Sequence, residues 1–201
     1  MSYTSTQLLS FEEFLAQYGQ GSRYELADGE LIDMEPTGPH ETVSGKLVSK
    51  INLELERQAS TWFIPRTCIL RPFADVATAR RPDIVVLDET ALVNEPLWER
   101  EPVITLGTSI KLIVEVVSTN WETDYARKVE EYELLGIPAY WIVDYRGFGG
   151  VAFIGRPKQP TITVCKLVGE DYSQKQYRLG QAIASHELSG LTLKLDDVLP
   201  R

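Results

Sequence analysis

The segment Lys111-Leu-Ile-Val-Glu-Val-Val117 constrains this chain more than any other, because from Leu112 onward it is apolar except at Glu115. A run of that kind reads as a strand covered on both faces, and so as part of a sheet with helices on either side. It also demands a partner for Glu115, since an ionised carboxylate is unstable alone in an apolar layer. Two partners are open: a cation such as Lys128 or Arg81 in a buried salt bridge, or a divalent metal ion shared with a second carboxylate. Asp83, at the head of the apolar run Ile84-Val-Val-Leu87, is the second carboxylate that antiparallel pairing of the two strands would bring to Glu115. Oxygen-only ligands select Mg²⁺, or Mn²⁺, over zinc.

The rest of the chain supplies the helices. Ser10 followed by Glu13 has capping-box form and predicts a short helix over about 11–18. Tyr24-Glu-Leu-Ala-Asp-Gly-Glu-Leu-Ile-Asp-Met reads as a hairpin turning at Asp28-Gly29. Beyond Thr37-Gly-Pro-His, the four-residue spacing of Val43, Leu47, Ile51 and Leu55 predicts an amphipathic helix of about five turns. Strands are expected over 62–67, 69–73 and 83–87, then a long mobile excursion over 88–109. Asn120 opens a helix carrying Trp121, Tyr125, Val129 and Tyr132 inward, which stops at Gly136-Ile-Pro138, and Ala139 to Asp144 returns as a strand. Short β pieces follow over 151–154, 161–167 and 175–179, with an alternating tail from Leu191. One domain over 1–201 is the expectation for this length.

Within the helix after the Glu115 strand, Asp124 and Lys128 are four residues apart and share a face. Spacing alone leaves them equally well read as a solvated surface bridge. His40 stands near the start of the long helix, where it could meet a phosphate or a carboxylate. Cys68 and Cys165 have no Cys or His at metal-ligand spacing, which argues against structural zinc and a disulfide framework. No phosphate-binding glycine loop, nucleophile elbow or dinucleotide fingerprint is present. Residues 1–6 have neither a basic nor an apolar leader, and no apolar run could span a bilayer, so a cytoplasmic protein is expected, without a membrane partner. The net charge of -9 is unfavourable for non-specific binding to DNA.

Taken in order, Arg81-Pro-Asp-Ile-Val-Val, Leu112-Ile-Val-Glu-Val-Val-Ser118, Asp124, Lys128, Tyr132 and Gly136-Ile-Pro-Ala-Tyr-Trp-Ile-Val-Asp144 resemble a bacterial family described as putative restriction endonucleases, of the PD-(D/E)XK nuclease superfamily. Tyr24 to Glu30, His40 and Leu188-Ser-Gly-Leu-Thr-Leu extend the resemblance over nearly the whole chain. It implies an α/β (mixed α+β) restriction-endonuclease-like fold: a central mixed sheet flanked by helices, with an N-terminal hairpin and extra C-terminal β segments. It further implies Asp83, Glu115 and the Val116 carbonyl as ligands of Mg²⁺, Mn²⁺ being an alternative. The superfamily pattern places a lysine two residues after the acidic ligand; here that position is Val117, and Lys128 is the matching lysine in the family.

The expected activity is therefore metal-dependent hydrolysis of DNA phosphodiesters. Lys128 would orient water or offset transition-state charge, Asp124 would position Lys128, and His40 would assist at the edge. Arg80, Arg81 and Arg127 would form a basic rim for the phosphate backbone. A homodimer is expected, because cutting two strands usually takes two sites. Two other classes stay open: a catalytically silent DNA-binding or protein-interaction module on the same fold, and a metal-dependent hydrolase of a small phosphorylated compound.

Overall fold

Ser10 and Glu13 close a reciprocal capping box, with Ser10 N donating to Glu13 Oε2 at 2.8 Å, at the head of α1 (Phe11–Tyr18). The structure is a computed structural model that describes residues 8–21 and 23–200; the reading of residues 1–6 as leaderless lies outside them. Asp28 and Gly29, with φ of 52° and 85°, turn the hairpin of β1 (Tyr24–Ala27) and β2 (Glu30–Asp33). α2 (Gly38–Arg57) buries Val43, Leu47, Ile51 and Leu55 along one stripe.

β3 (Trp62–Phe63) and β4 (Ile69–Leu70) are shorter than the strands expected there. Pro65 and Pro72 lack the N–H a ladder needs, which stops both. β5 (Ile84–Asp88), β6 (Val103–Ile104) and β7 (Ile110–Val116) follow. The excursion expected over 88–109 is built: β6 pairs with β4, and the buried Glu95 carboxylate accepts from Thr105 N at 2.9 Å and Leu106 N at 3.1 Å. Two backbone donors and a strand pair give this segment the partners that its uneven sequence pattern does not reveal.

After β7 the chain enters a π-helical turn (Thr123–Arg127) that runs into α3 (Lys128–Leu134). β8 (Ala139–Asp144) precedes α4 (Val151–Ile154), a single helical turn between Gly150 and Gly155 where β structure was expected. Four apolar residues are too few to separate the two periods. β9 (Thr161–Val168) and β10 (Asp171–Tyr177) form a hairpin, with β10 beginning four residues before the expected piece, and β11 (Ala182–Ile183) pairs with β12 (Leu193–Lys194).

The central sheet has the order β10-β9-β8-β7-β5-β3 and is mixed: β7 and β8 run parallel, while the other neighbours run antiparallel. Both faces are covered. Leu112, Val114 and Val116 pack with the α2 stripe and the C-terminal tail, whereas Ile113 and Val117 pack with Tyr125 and Tyr132 on the α3 side. Alternation along β7 therefore turns Glu115 towards α3. Among the described residues no helix is long and apolar enough to cross a membrane.

Candidate functional site

In the antiparallel β5/β7 pair Ile84 stands opposite Val114, and the same register carried one residue further sets Asp83 opposite Glu115. Directly opposite residues project to the same side of a sheet, and both carboxylates line one cleft of about 1350 Å³. Val116 N donates to Asp83 Oδ2 at 2.7 Å. His40, in the first turn of α2, brings its Nε2 to 2.8 Å from the Val116 carbonyl oxygen and 3.2 Å from Asp83 Oδ2. Burial opposes charge on this imidazole, but Asp83 and the Val116 carbonyl outweigh it and hold the His40 pKa above the ordinary value.

Glu115 Oε1 accepts from the Tyr132 hydroxyl at 2.9 Å and lies 3.0 Å from Lys128 Nζ. Lys128 also reaches Asp124 Oδ1 at 3.3 Å and Glu25 Oε1 at 3.5 Å, and it is 1% exposed. The Asp124–Lys128 pair is thus a buried link and not the solvated bridge that its spacing allows. Burial raises the Glu115 and Asp124 carboxyls above their usual range; Lys128 opposes that shift, and their acidic neighbours reinforce it. Burial also disfavours charge on Lys128, yet Glu115, Glu25 and Asp124 together raise its pKa well above normal. The π turn seats this cluster: a wide turn inside a helix changes which side chains face the sheet, and such turns recur at functional sites. Val117, at the usual lysine position, is 1% exposed and packs in the apolar layer.

Of the three arginines expected to form a basic rim, none presents a free guanidinium. Arg80 is 1% exposed and holds Glu131 through two bonds of 2.7 Å, with Glu25 at 3.3 Å. Arg81 is half-buried and donates to the carbonyls of Tyr24, Tyr18 and Gly19. Arg127 spans Asp28 and Glu131, each at 2.7 Å. Carboxylates hold Arg80 and Arg127 as internal counter-ions and main-chain carbonyls hold Arg81, so the expected basic rim is engaged within the fold itself.

Glu25, Glu131 and the hydroxyl of Tyr132 were not singled out from sequence. Glu25 looks like an ordinary polar residue of a hairpin. It is buried because β1 packs on the segment ahead of β5, where Leu26 bridges Ala79 and Arg81 N donates to Glu25 Oε1.

The buried set Glu25, Glu115, Asp124 and Glu131 confronts two buried cations, Arg80 and Lys128. Among the described residues no three His, Cys, Asp or Glu side chains gather closely enough to hold a metal by themselves. Asp83, Glu115 and the Val116 carbonyl could nevertheless offer only oxygen donors to an ion at this end of the β5/β7 pair. That chemistry fits a hard divalent cation, which keeps several waters and takes one or two carboxylates.

Comparison with known proteins gives the same fold and a family. The model of the Uma2 family, described as "Putative restriction endonuclease", matches residues 11–196, and the chain belongs to this family. The crystal structure of a putative nuclease belonging to DUF820 from Anabaena variabilis ATCC 29413 is similar over 94% of this chain and 97% of that one, with a TM-score of 0.67 and 17% identity. No curated protein matches.

Proposed function

We propose that this chain is a divalent-metal-dependent endonuclease that hydrolyses DNA phosphodiester bonds at the floor of the cleft. The observation that carries this reading is that Asp83, Glu115 and Val116 line one cleft at the same end of the β5/β7 pair, His40 Nε2 facing both Asp83 Oδ2 and the Val116 carbonyl, with Lys128 Nζ 3.0 Å from Glu115. Membership of the endonuclease family and the shared fold support it.

Asp83, Glu115 and the Val116 carbonyl would hold the ion. When bound, Mg²⁺ or Mn²⁺ supplies Lewis acidity to the scissile phosphate and acidifies water. Lys128 fixes the Glu115 carboxylate in place and would offset the negative charge that develops on phosphate oxygens. Asp124 positions Lys128 from one helical turn away. His40 bonds the carbonyl oxygen of Val116 and faces Asp83, so its Nε2–H orders two of the three oxygens.

The test is incubation of the purified protein with supercoiled plasmid and Mg²⁺ or Mn²⁺, alongside Asp83→Ala and Lys128→Ala. Metal-dependent nicking abolished by both substitutions is the expected result. Nicking that survives both, or tight DNA binding with no cleavage under any metal, overturns the reading.

A further inference from the structure

The cleft is lined by ten carboxylates against seven cations among the described residues, so any polyanion entering it is repelled unless some cations are unengaged. Five of the seven are committed. Arg23 pairs with Asp33, Arg127 with Asp28 and Glu131, Arg80 with Glu131 and Glu25, Lys128 with Glu115, and Arg81 is taken up by backbone carbonyls. Arg66 and Arg146 remain: both are exposed cleft residues, and neither has an ion pair or side-chain hydrogen bond among the described residues. Arg146 rests over the rings of Tyr145 at 5.3 Å and Phe148 at 5.8 Å, which steers its guanidinium without neutralising it.

Topology sets where the two arginines stand. Arg66 follows β3 and Arg146 follows β8, and the strand directions bring both to the sheet end that carries Asp83 and Val116. In the order β8-β7-β5-β3 the two flank the strands bearing the carboxylates, one on each side. Three inter-strand steps separate their backbones by roughly 14 Å. That is about four nucleotide rises of 3.4 Å, a spacing that suits separate phosphates along a polynucleotide backbone.

We propose that Arg66 and Arg146 are the phosphate-gripping cations of the cleft, straddling the Asp83–Glu115 pair and taking the backbone of double-stranded DNA. The proposal rests on the endonuclease reading and deepens it, naming the residues that would hold the DNA backbone on either side of the carboxylates. A guanidinium suits this work: it stays charged and meets phosphate oxygens through two parallel bonds.

The test is equilibrium binding of a fluorescein-labelled DNA duplex in EDTA, titrated with salt, for wild type, Arg66→Ala, Arg146→Ala, the double variant, and Arg100→Ala as an exposed control outside the cleft lining. Each cleft substitution is expected to make the negative slope of log affinity against log salt shallower by about 0.9, additively, with the control unchanged. Arg66→Glu and Arg146→Glu should weaken binding further while leaving circular dichroism unaltered. Wild-type binding and cleavage with unchanged slopes in both alanine variants overturns the clamp alone. A wild type that neither binds nor cuts duplex overturns the clamp and the endonuclease reading together.

Discussion

Lys128 Nζ lies 3.0 Å from Glu115 Oε1, with neither residue more than 3% exposed, so each is the other's nearest opposite charge in the interior. Removing one partner of such a pair leaves an uncompensated buried charge and costs about 3–5 kcal/mol. Lys128→Met should therefore lower the urea midpoint sharply at neutral pH. The loss should shrink as pH falls, because Glu115 and Asp124, released from Lys128, take up protons more readily. Lys128→Met combined with Glu115→Gln should recover part of the stability. Equal midpoints for wild type and Lys128→Met would show that the pair contributes nothing.

Metal binding should be visible without any substrate. A ligand that binds the folded state alone stabilises it by about 2.7 kcal/mol at one hundred times its dissociation constant. Adding Mn²⁺ or Mg²⁺ should raise the thermal midpoint of the wild type, and Asp83→Asn should abolish that rise while leaving the metal-free midpoint near its original value. A rise of equal size in Asp83→Asn would place the ion elsewhere.

The strand bearing Glu115, the hairpin turn at Asp28-Gly29 and the α2 stripe were legible in the chain, because each is written in local periodicity or turn chemistry, and the strand that follows Asp83 pairs antiparallel with the Glu115 strand as expected. The fate of the arginines was not legible. Whether Arg80 is a surface contact or a buried counter-ion depends on Glu131, fifty-one residues away, and on Glu25, fifty-five residues away. Sequence spacing carries no trace of such a pairing. The π turn was equally hidden, since the apolar spacing of Trp121, Tyr125, Val129 and Tyr132 fits an uninterrupted helix. Glu95 is the same case again: an acidic residue in an irregular stretch, buried because it satisfies two backbone donors of its own loop.

Asp88, at the end of β5, ties stability to acid pH. Burial would raise its pKa, but Thr90, whose hydroxyl donates at 2.7 Å, and Lys111, at 3.1 Å, outweigh that and bring it down to about 2. A carboxylate depressed on folding adds stability that is fully present above its unfolded pKa of about 3.9 and is lost as pH falls towards the folded value. Between pH of about 4 and about 2 the urea midpoint of the wild type should fall more steeply than that of Asp88→Asn. Parallel curves for the two proteins would exclude this contribution.

Gly107 controls how β7 and α3 meet. A Cβ built on it would stand 1.9 Å from the carbonyl oxygen of Leu135 and 2.9 Å from its carbon, both main-chain atoms at the end of α3. That backbone has little room to retreat, because Leu135 N is bonded to Glu131 O and the following Gly136 turns at a φ of 74°. Gly107→Ala should destabilise the fold by about 1–3 kcal/mol, the usual cost of overpacking. It should also reduce plasmid nicking, since β7 carries Glu115 and α3 begins with Lys128, and pushing the two elements apart lengthens the 3.0 Å contact between them. Gly45 provides the contrast: it is an exposed interior position of α2 with open space around a new Cβ. Gly45→Ala should therefore stabilise by about 0.8–1 kcal/mol through helix propensity alone, with nicking unchanged. Denaturant titration of the two variants side by side checks the sign of each, and a Gly107→Ala protein as stable and active as Gly45→Ala would mean that the β7–α3 approach is not held as tightly as these distances require.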